Sequence, residues 1–150
     1  MSALLNERDE ITLVETKKKT ILVIDDQSDM GWIMSRIFHE RGHKVMVSRS
    51  GKEGLRKLNE RKDFDLIFLD IKLPDLNGLD VLEQIKKTFP HTKVIIITAF
   101  GSPEARQEAL ERGASAFLDK PIQIDEMTRL ANEVLTPHFP HTFGKRESAG

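Results

Sequence analysis

A chain of 150 residues with 39% hydrophobic content can close one domain with a sizeable core but not that domain plus a full second module. With 23 Lys and Arg against 24 Asp and Glu, it has no basic field to recruit nucleic acid or an anionic membrane, and with no cysteine it has no disulfide, thiolate metal site or cysteine nucleophile. The opening MSALLNERDE lacks the basic start and apolar run of a signal peptide, and no segment nears the roughly 20 apolar residues of a membrane span, so a soluble cytoplasmic protein is expected.

Residues 1–19 scatter Leu4, Leu5, Ile11, Leu13 and Val14 among charges and end in Lys17-Lys18-Lys19, which predicts a flexible N-terminal tail. The pattern then changes. Ile21-Leu22-Val23-Ile24 is a short apolar run closed by Asp25-Asp26, as expected of a strand buried on both faces of a parallel sheet. Met30, Ile33, Met34, Ile37 and Phe38 recur at helical spacing, with Gly42 just beyond as a stop. Val45-Met46-Val47 predicts a second strand, and Ser50 with Glu53 a capping box opening a helix through about Glu60. Leu66-Ile67-Phe68-Leu69 predicts a third strand ending at Asp70.

After the loop Lys72-Leu73-Pro74-Asp75, a helix is expected from about Gly78 to Thr88, stopped by Phe89-Pro90. Val94-Ile95-Ile96-Ile97 is a fourth strand ending at Thr98, and Ser102-Pro103 is an N-cap and first-turn pair for a helix to about Arg112, closed by Gly113. Ala116-Phe117-Leu118 is a fifth strand before Lys120-Pro121, and Ile124, Met127, Leu130, Val134 and Leu135 mark a last amphipathic helix. Residues 136–150 hold two prolines without apolar periodicity and read as a C-terminal tail or the start of a linker. Its His138 and His141 are flanked by prolines with no acids close by, which argues against a metal site.

Strands alternating with helices imply an α/β domain over residues 20–135, a doubly wound five-stranded parallel sheet with helices on both faces. Functional groups in such a fold collect outside the carboxyl ends of the strands. Here those ends carry Asp25, Asp26, Asp70, Thr98 and Lys120. Each alone is ordinary: an acidic pair after a strand is most often solvated, and a lone Thr or Lys says nothing. Their conjunction is more telling. Two unit charges about 4 Å apart repel by about 4 kcal/mol at an effective dielectric near 20, so converging carboxylates call for a cation, and an all-oxygen donor set favours Mg²⁺ over zinc. A lysine and a hydroxyl facing a central carboxylate suit phosphoryl transfer, where charge on the equatorial oxygens must be stabilised, with Asp70 as nucleophile.

In order and spacing, ILVIDDQSDM, DLIFLDIKLPDLNGLDVL, VIIITAFGS and AFLDKPI resemble the successive signatures of response-regulator receiver domains, over about residues 20–135. The resemblance implies a flavodoxin-like sheet of order 2-1-3-4-5. It also implies a site in which Asp26 and Asp70 supply carboxylates to Mg²⁺, Asp25 holds it largely through water, and the Lys72 backbone carbonyl completes the protein share. Lys120 would pair with Asp70 and then with the phosphoryl group, through a Lys120–Pro121 bond that is usually cis in the family. Thr98 and Phe117 would be the switch residues, Thr98 moving to the phosphoryl group and Phe117 turning inward; the plain reading of Phe117 is a half-buried strand residue. Lys72 and Phe100, each two residues beyond a site residue, would tune the lifetime of the acyl phosphate, unless both are simply exposed loop residues. Ile122 stands where many relatives have Phe, a difference of local packing.

The implied function is a signalling switch rather than an enzyme acting on other substrates. Its expected partners are a histidine kinase or phosphotransfer protein and a downstream protein target or an output domain missing from this chain; a phosphorylation-dependent dimer is compatible with it. Trp32, off the apolar stripe of the first helix, reads either as a partly covered surface aromatic or as an anchor for the kinase. Two rival classes stand beside this: a receiver-like interaction module that is never phosphorylated, and a haloacid-dehalogenase-like aspartyl phosphatase. The latter wants a second acid two residues after the nucleophile, where this chain has Lys72. A nucleotide-binding fold is disfavoured, since neither GxGxxG nor GxxxxGK[ST] follows a strand.

Overall fold

The computed structural model describes residues 17–136; residues 1–16 and 137–150, with most of both expected tails and with His138 and His141, lie outside the described residues. Strands β1 (Thr20–Ile24), β2 (Lys44–Ser48), β3 (Leu66–Asp70), β4 (Lys93–Thr98) and β5 (Ala116–Asp119) alternate with helices α1 (Ser28–Glu40), α2 (Gly51–Arg61), α3 (Gly78–Thr88), α4 (Pro103–Glu111) and α5 (Ile124–Leu135). All neighbouring strands pair in parallel, in the order β2-β1-β3-β4-β5. This is the doubly wound sheet expected from the sequence.

The period of two in the strands sorts their side chains into two cores. Leu22, Ile24, Ile67, Leu69, Val94 and Ile96 pack with Leu58 of α2, Leu82 and Ile85 of α3 and Ala109 of α4. Ile21, Val23, Phe68, Ile95 and Ile97 pack on the opposite face with Met34 and Phe38 of α1 and Met127 and Ala131 of α5. Phe38 stacks on Phe68 with ring centroids 5.4 Å apart. Burial on both faces explains why β1, β3 and β4 read as unbroken apolar runs, while β2, at the sheet edge, keeps an exposed Lys44.

Helix ends follow the capping residues. Ser50 Oγ accepts from the Glu53 amide at 3.1 Å, and Ser102 Oγ from the Ala105 amide at 3.0 Å with Pro103 in the first turn. The capping box at Ser50 closes one residue early, because the Glu53 carboxylate accepts from the Arg49 amide at 2.9 Å. Asp75, reaching from the loop after β3, accepts from the amides of Gly51 and Lys52 at 2.8 and 2.9 Å and so adds a second, charged cap to α2. Two sequence expectations are corrected. Helix α1 begins at Ser28, two residues before the first apolar stripe position. Ile33 of that stripe is 41% exposed beside a 62% exposed Trp32, because α1 lies mainly over β1 and β2 toward the edge of the sheet and its stripe is wider than the face it buries.

At the opposite end from the strand carboxyl termini, buried His43 closes the entry of the chain. Its Nδ1 accepts from the Lys19 amide at 3.1 Å, and the Thr20 amide donates to Asp65 at 2.9 Å. Burial lowers the His43 pKa, the positive charges of Arg41 and Lys19 lower it further, and Asp65 opposes them. The folded state therefore prefers the neutral ring, and the unfolded chain binds more protons. Stability from this group is complete above the ordinary histidine pKa of about 6.5 and is lost as pH falls from there through the lowered folded value. In urea unfolding at pH 7.5 and pH 5, wild type should lose more stability on acidification than His43→Gln; equal losses would contradict the assignment.

Candidate functional site

The parallel topology delivers the ends of β1, β3, β4 and β5 to one edge of the sheet. Asp25 follows β1 and is fixed by its amide donating to the Ser48 carbonyl at 3.0 Å. Asp70 ends β3, Thr98 ends β4, and Lys120 follows β5 with its amide donating to the Thr98 carbonyl at 2.8 Å. Oxygens of Asp25, Asp26 and Asp70 lie within 4.8 Å of one another. Asp25 and Asp70 are buried, and Asp26 opens to solvent.

Lys120, whose side chain is only 8% exposed, lies among them. Its Nζ stands 2.9 Å from Asp70 Oδ2, 2.8 Å from Asp25 Oδ2 and 2.7 Å from Gln27 Oε1. The contacts with Asp70 and Gln27 have hydrogen-bonding geometry, whereas that with the buried Asp25 Oδ2 is a less well aligned ion pair. The remaining oxygens are held by the backbone: Asp25 Oδ1 accepts from the Gln27 amide at 2.9 Å, and Asp70 Oδ1 from the Lys72 amide at 3.1 Å. Burial pushes the Asp25 carboxyl above its usual range, and Lys120 with the Gln27 amide offsets this only in part. Burial alone would lower the Lys120 pKa, but its contacts with Asp25 and Asp70 raise it.

This arrangement fits a hard divalent cation. The donors are all oxygens, the buried Asp25 Oδ2 has only the Lys120 ammonium as its partner among the described residues, and the solvent-facing Asp26 leaves room for water ligands. The acidic cluster can hold a metal ion.

The loop after β3 is tied back on the strand end. Lys72 bridges to Asn77, the Gly78 amide donates to the Ile71 carbonyl at 2.7 Å, and Asn77 caps α3 through the Leu79 amide at 2.8 Å. At Gly78 a Cβ would run into the backbone of Asp70 and Ile71. Glycine is thus what lets α3 start against the strand that carries Asp70. The sequence marked Gly78 only as a helix start.

Thr98 is fully buried, and its Oγ1 accepts from the Phe100 amide at 3.2 Å; it makes no hydrogen bond to Asp70 among the described residues. Phe117 is buried at 8% exposure, more deeply than a half-buried strand residue, so its ring already lies inside in this state. It fits against Gly101, where a Cβ would lie 2.8 Å from the ring, and under the Arg106 guanidinium, 4.6 Å from the ring centroid. Arg106 in turn pairs with Asp119 at 2.9 Å. Lys72 Nζ stands 4.4 Å above the ring of Phe100, which is 62% exposed, so the loops after β3 and β4 meet through a cation–π contact. Trp32 carries Arg36 over its ring at 5.2 Å and is a surface aromatic. Ile122 packs on the core shared with α5, and the Lys120–Pro121 bond is cis. Gln27 and Arg106 were not singled out from sequence, because their partners lie 93 and 13 residues away and no local pattern marks them.

Comparison with known proteins agrees with this geometry. Residues 21–132 match the family model described as "Response regulator receiver domain". The chain is 32% identical over 117 residues to the chemotaxis protein CheY of Thermotoga maritima, covering 77% of this chain and 97% of that protein. It is 34% identical over 115 residues to the transcriptional regulatory protein ZraR of Klebsiella oxytoca, covering 77% of this chain but 26% of that protein. The chain therefore spans about a quarter of the length of that regulator. A receiver domain protein from Methanospirillum hungatei superposes with a TM-score of 0.76 at 30% identity, covering 89% of this chain and all of that one. Among the described residues no helix is long and apolar enough to cross a membrane. Fold, site and relatives together place this chain in the receiver domain family of two-component response regulators.

Proposed function

We propose that Asp70 accepts a phosphoryl group from a phosphohistidine of a histidine kinase or phosphotransfer protein. Asp70 Oδ attacks phosphorus in line, the bond to the donor nitrogen breaks, and an acyl phosphate forms while the imidazole takes up a proton. Asp25, Asp26, Asp70 and the Lys72 carbonyl would hold Mg²⁺, which when bound neutralises charge on the phosphoryl oxygens. Lys120, already 2.9 Å from Asp70, follows the transferred group as a mobile cation. The Thr98 hydroxyl leaves its loop partner and donates to a phosphoryl oxygen, and Phe117 reports that movement to the surface of α4, β5 and α5. The reader of that surface is a separate protein, an output domain of a longer regulator, or a second copy in a phosphorylation-dependent dimer. The observation that carries the reading is Lys120 set between Asp25 and Asp70 beside Asp26.

Incubation with acetyl phosphate and Mg²⁺, followed by intact mass, should give one phosphoryl adduct on wild type and none on Asp70→Asn. No adduct on either would favour an interaction module that is never phosphorylated. The exposed Phe100 ring, held under Lys72, screens the approach of water to the acyl phosphate. Phosphoprotein decay should therefore be several-fold faster in Phe100→Ala, by analogy with loops that exclude water from a reacting centre; an unchanged rate would contradict the screen.

A further inference from the structure

We infer that Gln27 is a positioning residue for Lys120, the neutral acceptor on which the lysine stays anchored while its charged partners are taken over by the reaction. The inference rests on the phosphoacceptor reading of Asp70. Gln27 occupies the N-cap position of α1, where Ser, Thr, Asp or Asn would ordinarily satisfy the first helical amides. Its side chain makes no such bond. The side-chain oxygen instead accepts from Lys120 Nζ at 2.7 Å, across 93 residues of sequence. The Gln27 amide donates to Asp25 Oδ1 at 2.9 Å, so the same residue fixes one carboxylate and the lysine together.

Among the described residues the Lys120 ammonium has three acceptors, and two of them change during the reaction. Asp25 and Asp70 hold the ammonium as carboxylates, at 2.8 and 2.9 Å. A divalent cation in the acidic cluster competes with Lys120 for those same oxygens, and phosphorylation turns the Asp70 carboxylate into an uncharged acyl group that carries the phosphoryl oxygens. Gln27 is altered by neither event. Gln27 is outside the cluster of carboxylates that can hold a cation, and it is not a reacting group. Arg49 contacts the neighbouring backbone, with Nη2 3.4 Å from the Asp26 carbonyl, so the segment that carries Gln27 is held on its outer side as well. Lys120 can thus pivot about one fixed hydrogen bond from the carboxylates to a phosphoryl oxygen without leaving the site for water.

Two measurements test this. In metal-free protein labelled with ¹⁵N-lysine, the Lys120 ammonium, assigned by its absence in Lys120→Arg, should be protected from solvent exchange and visible. Gln27→Met, which keeps side-chain length but has no comparable acceptor, should lose that signal. Lys86, held by the Pro90 and Thr92 carbonyls at 2.9 and 2.7 Å, should keep its own signal as the internal control. Gln27→Glu, which keeps an acceptor, should keep the Lys120 signal. The rate of adduct formation from acetyl phosphate at saturating Mg²⁺ should fall about fivefold in Gln27→Met, the size of one hydrogen bond to a charged group made weaker. A persistent Lys120 signal in Gln27→Met, or an unchanged rate, would overturn the inference. Wild type that takes no phosphoryl group would instead overturn the phosphoacceptor reading, and the ammonium signal would still judge the role of Gln27.

Discussion

Lys120→Ala should lower the stability of the metal-free protein by about 3 kcal/mol at neutral pH, because it strands two buried carboxylates. The side chains of Asp25 and Asp70 are 0% and 6% exposed, and Lys120 is the cation in contact with both. Removing it leaves their mutual repulsion and their loss of hydration without compensation. The cost is at the lower end of what broken buried pairs show, because Asp26 opens the cleft to water. The pH dependence has a definite sign. In wild type burial already raises the Asp25 pKa, and loss of the ammonium raises it further. A carboxyl whose folded pKa lies above its unfolded one costs stability as pH rises through that range and ceases to do so once protonated. The deficit of Lys120→Ala should therefore shrink as pH falls toward 5. Mg²⁺ should also shrink it, since a ligand of the folded state alone stabilises by mass action. Urea unfolding with and without Mg²⁺ checks both, with Lys120→Met as the control that keeps the packing of the aliphatic stem. A metal-free Lys120→Ala as stable as wild type at pH 7 would contradict the electrostatic account.

Gly78→Ala should be damaging for a different reason. The three atoms nearest to the new methyl are all backbone, at Asp70 and Ile71, and backbone cannot swing away from it as a side chain could. Either α3 retreats from the strand end or the end of β3 shifts, and overpacking of this kind costs about 2 kcal/mol. The chemical effect should exceed the loss of stability. Asp70 is positioned through its own strand end and through the Lys72 amide, in the loop that the Gly78–Ile71 hydrogen bond closes. A displacement of about 1 Å at a reacting group can cost about a hundredfold in rate. Adduct formation, measured where circular dichroism shows the variant still folded, should fall by that order. A variant with normal kinetics would show that the loop tolerates the shift.

The sheet was legible because β1, β3 and β4 are apolar runs buried on two faces, each followed or ended by a residue of different character. Asp25, Asp70 and Thr98 each terminate such a run and Lys120 follows the end of β5, so chain order alone carried them to one edge once the topology was parallel. Helix α3 spans the expected residues because Asn77 caps it and Phe89-Pro90 ends it. The features that escaped depend on surfaces meeting across the chain. The exposure of Ile33 follows from how much of α1 the edge strands cover, which periodicity does not report. Lys62 takes a left-handed conformation (φ 68°) at the end of α2, where glycine would be the usual signal. Gln27 shows no motif, yet it makes the shortest contact of Lys120. Arg106 looks like a solvated helix residue in sequence, and only the fold lays it over Phe117 and against Asp119.

The central claim is that Asp70, among three neighbouring carboxylates, is the one that becomes an acyl phosphate. Borohydride reduces an aspartyl phosphate to homoserine, so wild type treated with acetyl phosphate and Mg²⁺, reduced and sequenced by tandem mass spectrometry should carry homoserine at position 70. Asp25 and Asp26 should stay unmodified in the same spectra. Homoserine at Asp25 or Asp26, or an unmodified Asp70 in a protein that carries the phosphoryl mass, would contradict the account.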